Sequence, residues 1–130
     1  MTTIAGLAGS SGTNDGMNST ARFSEPDRVA LDSAGNVYVA DYGNSTIRKI
    51  TPVGTNWVVA TIAGLAGTAG TNDGTGNAAR FASILGVAVD SVGDLFIVDA
   101  RANKTIRKAW SSTGDAQPGS SVLVVSSNAT

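Results

Sequence analysis

The chain is written twice. Thr3-Ile4-Ala5-Gly6-Leu7-Ala8-Gly9 recurs letter for letter as Thr61-Ile62-Ala63-Gly64-Leu65-Ala66-Gly67, an offset of 58 residues. The offset holds for Gly12 to Gly16 against Gly70 to Gly74 and for Ala21-Arg22-Phe23 against Ala79-Arg80-Phe81. It holds again for Asp32-Ser33 and Asp41 against Asp90-Ser91 and Asp99. One residue is added after Asp99, so Ile47-Arg48-Lys49 matches Ile106-Arg107-Lys108 at 59. A period of this length implies stacked supersecondary units. It divides the chain into a first unit with its linker, residues 1–64, and a second, residues 65–130.

Each unit reads as four short strands. Arg28 to Leu31 and Gly86 to Val89 are short apolar runs. Asn36 to Ala40 and Asp94 to Val98 are apolar at nearly every position, which predicts cover on both faces. Asp32-Ser33-Ala34-Gly35 and Asp90-Ser91-Val92-Gly93 carry Asp first and Gly fourth, a type I turn suited to a hairpin. Thr46 to Thr51 and Thr105 to Trp110 supply third strands. Trp57 to Ala63, after a turn at Pro52-Val53-Gly54-Thr55, and Ser121 to Val125 supply fourth ones. Asn18 to Phe23 and Gly76 to Phe81 each have room for one helical turn. A meander greasy on both sides must lie between neighbours, and radial stacking achieves this.

Asn36-Val37-Tyr38-Val39-Ala40-Asp41-Tyr42-Gly43-Asn44, followed by Ile47-Arg48-Lys49-Ile50, resembles the NHL-repeat signature. The linker with Asn14-Asp15-Gly16 and Ala21-Arg22-Phe23 is similar to that of long bacterial NHL repeats. The resemblance spans residues 3–110. It implies an all-β fold: two four-stranded antiparallel blades of a β-propeller, completed by other copies or by a longer propeller. Departures are Arg28 where the family has Gly, Ile84 where it has Pro, and Ala109 where it has Ile. The resemblance also implies a structural or interaction module, in an envelope or secreted setting, whose propellers typically close with six blades.

Two blades leave an apolar face bare at each end, more than a monomer normally tolerates. The expectation is head-to-tail association, with a homotrimer giving six blades and a filament if the rotation does not close. Thr2 to Ala5 could add as an outer strand to a neighbouring copy.

The chain has no His and no Cys. That removes the usual general base, proton shuttle and thiolate ligand, and no nucleophile–base pair can be assembled. The reading is therefore not an enzyme, with no cofactor. A fragment of a calcium-dependent propeller hydrolase or lyase is the alternative. Net charge is −1 and the basic residues are scattered, which argues against a nucleic-acid partner. No apolar run has membrane-spanning length, so insertion is not expected.

The glycine-rich stretches lack the Lys of a phosphate loop. Asn14-Asp15-Gly16 and Asn72-Asp73-Gly74 offer one carboxylate each, too few for calcium, and read as turns held by Asp. Asp41 and Asp99 are expected to satisfy loop amides. Arg22 and Arg80 are expected to bond linker carbonyls with their stems over Phe23 and Phe81. In a four-stranded blade the linkers and the loops at 42–46 and 100–104 share one rim. That rim carries Asp15, Tyr42, Asn44, Asp73, Arg101 and Lys104, the candidate surface for a protein or glycan partner.

Overall fold

A computed structural model describes residues 1–100, 104–111 and 123–126. The first sheet contains β1 (Gly16–Met17), β2 (Pro26–Leu31), β3 (Val37–Asp41), β4 (Thr46–Val53) and β5 (Asn56–Ala63). The second contains β6 (Gly74–Thr75), β7 (Ile84–Val89), β8 (Leu95–Asp99), β9 (Thr105–Ser111) and β10 (Leu123–Ser126). Both have the same order, β1-β5-β4-β3-β2 and β6-β10-β9-β8-β7, with every pairing antiparallel. These are blades of a β-propeller, and the described residues form no α-helix.

Two details differ from the sequence reading. Each blade has a fifth strand of two residues, because the incoming linker bonds the outer strand: Gly16 lies opposite Val59 and Gly74 opposite Val125. The third strand of the first blade runs on through Pro52 and Val53, so its turn is only Gly54-Thr55, with Val53 opposite Asn56 and Gly54 at φ +62°. A glycine-first two-residue turn matches the twist of a hairpin. The expected helical turns are 3-10 turns at Asn18–Thr20 and Gly76–Ala78.

The first hairpin is held by Asp32. Its carboxylate accepts from the backbone N–H groups of Ala34 (3.0 Å) and Asn36 (2.9 Å), from Asn36 Nδ2 (2.8 Å) and from the Tyr38 hydroxyl (3.1 Å). The Gly35 N–H closes the turn on the Asp32 carbonyl at 3.3 Å. Burial alone would raise the Asp32 pKa, but the bonds from Asn36, Tyr38 and Ala34 outweigh it and hold it below the usual carboxylate value. Burial and the adjacent carboxylate push the Tyr38 hydroxyl well above the ordinary range. A depressed folded pKa stabilises above the unfolded value, and the gain is lost as pH falls through the folded one. Asp32→Asn is expected to cost about 1–2 kcal/mol at pH 7. It should also flatten the loss of stability below about pH 4. Denaturant titrations at pH 7 and pH 3 check both.

The main core lies between the blades. Tyr38, Ala40, Ile47, Ile62 and Ala63 of the first pack against Ala79, Phe81, Ile84, Leu95 and Ile97 of the second. A smaller cluster covers the opposite face of the first blade, where Val39, Ile50 and Val59 meet Ile4, Ala5 and Phe23. The chain is tightly packed at Gly64, where it leaves the first blade: a Cβ there would stand 2.5 Å from the Ser45 carbonyl oxygen of that blade and 3.2 Å from the Phe81 ring of the second, and its φ is +92°. Both facts call for glycine.

Equivalent positions differ in cover. Tyr38, Ala40 and Ile47 are buried by the second blade, whereas their counterparts Phe96, Val98 and Ile106 are 38, 38 and 63% exposed. On the other end face Val29 and Leu31 are 59 and 64% exposed, while their counterparts Val87 and Val89 pack on the core. Strand β8 therefore alternates between buried and open where β3 is covered almost throughout. Among the described residues, the two-sided cover expected of Asp94 to Val98 is met on one side only.

Candidate functional site

The loop rim of each blade is organised by an arginine in the middle of the third strand. Arg48 is fully buried, and its Nη1 donates to the Arg22 carbonyl (2.7 Å) and to Asp41 Oδ2 (2.9 Å). Its Nη2 donates to the Asn14 carbonyl (2.8 Å) and to Asp15 Oδ1 (3.0 Å). The guanidinium lies over the Phe23 ring, 4.8 Å from its centre. One planar fork thus joins two points of the incoming linker to two strands, a task that suits Arg better than Lys.

The second blade repeats the device. Arg107 donates to the Arg80 carbonyl, to Asp99 (3.1 Å), to the Asn72 carbonyl (2.8 Å) and to Asp73 (2.8 Å), and it lies 4.8 Å over Phe81. The Nε atoms of Arg48 and Arg107 have no hydrogen-bond partner among the described residues. The aromatic face beside each cation offsets part of that cost.

Asp41 and Asp99 do what the sequence reading expected, and more. Asp41 Oδ1 accepts from the Ser24 N–H (2.9 Å), and Asp99 Oδ1 accepts from the Ser83 N–H (2.8 Å). Each also carries the buried ion pair with its arginine. Arg22 and Arg80 do bond linker carbonyls, those of Ser19 with Ala21 and of Asn77 with Ala79. The cations over the phenylalanines, however, are Arg48 and Arg107. The aspartate of each linker takes part in the ion pair with its arginine, and Asp15 also accepts from the Thr61 hydroxyl at 2.8 Å.

The linker and the strand two to three loop do share a rim. Asn44 Nδ2 donates to the Gly12 carbonyl (2.8 Å) and to Asp41 (2.7 Å), and the Gly43 N–H donates to the Ser24 carbonyl (2.7 Å). Of the candidate residues, Asn44 is buried as an internal strut, and Asp15 and Asp73 are exposed but tied to the two arginines. Tyr42 is half-buried beside a cavity of about 380 Å³ that Glu25, Asp27 and Leu85 also line. Lys104 is exposed with φ +54°, and Arg101 lies outside the described residues. The five described candidates therefore play different structural parts.

No group of three or more His, Cys, Asp or Glu able to hold a metal ion occurs among the described residues. The guanidinium against Asp15 already supplies the positive charge there. Arg48 and Arg107 were absent from the candidate residues; their recurrence with Asp at matching offsets was the available signal.

Comparison with known proteins follows this layout. The chain is 36% identical over 96 residues to Suppressor of quenching 1, a chloroplastic protein of Arabidopsis thaliana; the match covers 74% of the chain and 9% of that protein. A structural genomics protein of unknown function from Bacteroides thetaiotaomicron superposes with a TM-score of 0.68 at 24% identity, over 95% of the chain and 27% of its own length. The chain thus spans a small part of each. Residues 23–50 match the NHL repeat family. They run from the phenylalanine under Arg48 through strands β2 and β3 to Ile50 in β4, so the match falls on the first blade.

Proposed function

We propose that the chain is a self-assembling interaction module, a propeller unit without catalysis of its own. An NHL repeat marks a propeller-type protein-interaction module. Copies join end face to end face, three of them closing a six-bladed ring. The assembled rim presents Tyr42, Lys104 and the linker loops to a protein or glycan partner, since irregular loops on a rigid scaffold are where partners bind. The carrying observation is the contrast at equivalent positions: Ile47 is 0% exposed at the internal junction and Ile106 is 63% exposed at the end. Absence of His and Cys supports a non-enzymatic role.

Native mass measurement across a concentration series tests the assembly. The expected species is three 13.0 kDa chains, with higher multiples if the ring does not close. A folded monomer at every concentration would overturn the reading.

A further inference from the structure

We infer that the joint between copies reproduces the internal blade junction residue for residue. The Lys104–Ile106 segment of one copy seats on Thr3–Gly6 of the next, with Ile106 opposite Ala5. This rests on the self-assembly just proposed and specifies its contact.

The internal junction supplies the template. Ala63 pairs with Ile47, and Ile62 and Ala63 are buried against the second blade. The Ser45 carbonyl and Thr46 Cα press on Gly64, and the Gly67 N–H donates to the Asn44 carbonyl at 3.2 Å. Ser45 holds this shape at φ 59°, a left-handed conformation uncommon outside glycine.

Both halves of the same contact recur elsewhere in the chain, without the matching partner among the described residues. At the start, Thr3-Ile4-Ala5-Gly6 repeats Thr61-Ile62-Ala63-Gly64 letter for letter. Gly6 has the same φ of +92°, yet among the described residues only Phe23 comes within 4 Å of a Cβ placed there. Where Ser45 and Thr46 sit at the internal junction, the first blade has a cavity of about 470 Å³ lined by residues that include Thr3, Ala5, Gly6, Gly9 and Phe23. Ile4, Ala5 and Phe23 are half-buried, whereas Ile62, Ala63 and Phe81 are fully buried.

At the other end, Lys104 is left-handed at φ 54°, like Ser45. Strand β9 pairs with β10 only from Lys108 to Ser111, so Thr105 to Arg107 have no outer strand among the described residues. By sequence position alone, Asn128 corresponds to Ile62. The start of a second copy offers Ile4 there instead. Strand addition of this kind draws affinity from main-chain bonds and specificity from the side-chain pocket.

Cross-linking in a chain without native cysteine tests the register. Ala5→Cys with Ile106→Cys should give covalent oligomers on mild oxidation, while Ala5→Cys with Val92→Cys, on the opposite hairpin tip, should not. On the unmodified protein, amides of residues 3–6 should gain about tenfold or more exchange protection between dilute and assembled samples. Assembly by mass without the first cross-link and without that protection would overturn this joint and leave self-assembly standing. A folded monomer at every concentration would remove both.

Discussion

Arg48→Met is expected to destabilise the protein by about 3–5 kcal/mol, because it leaves the Asp41 carboxylate buried without its cation. Asp41 and Arg48 side chains are both fully inaccessible, and their contact is 2.9 Å. The same change releases the carbonyls of Asn14 and Arg22, so the linker loses its anchor along with the strands. Arg48→Lys keeps the charge but cannot span four acceptors, and should recover only part of the loss. Removing both charges, as Arg48→Met with Asp41→Leu, should be milder than Arg48→Met alone, since no unpaired ion remains. Urea denaturation of the three variants reads the order; a single variant no worse than the double would show that the ion pair does not hold the rim.

Phe81→Ala should cost about 3–5 kcal/mol by opening a cavity in the core between the blades. It also removes the ring on which Arg107 rests. Phe23→Ala makes the equivalent change at a half-buried position, and in dilute solution its cost should be smaller. Under assembling conditions Phe23 acquires the surroundings of Phe81, and the two variants should converge. Thermal unfolding of both at low and high concentration reads the difference. Equal costs in dilute solution would mean that Phe23 is already covered in the single chain.

Much of the fold was legible because it is local or repeated. Asp32 and Gly35 announce their turn by spacing alone, and the bonds to Ala34 and Asn36 fall where such a turn requires. The apolar run Val37 to Ala40 announced two-sided cover. Arg48 was not legible, since Ile-Arg-Lys in a strand reads as an outward charge and buried cations are rare. Its partners stand 7, 26, 33 and 34 residues away, beyond any local pattern. Asn44 was misplaced on the surface for a similar reason: one of its two acceptors, the Gly12 carbonyl, is 32 residues earlier. The two-residue strands were hidden by brevity, as a Gly-Met or Gly-Thr pair carries no periodicity.

The linker belongs to the blade it enters and not to the one it leaves: Gly16 pairs with Val59, and Asn14 and Asp15 are gripped by Arg48. A transplantable cassette therefore starts well upstream of its first long strand. Gene fusions that splice blades just before Pro26 would strand an arginine without its ligands, whereas splices near Gly6 or Gly64 carry the latch along with the lock.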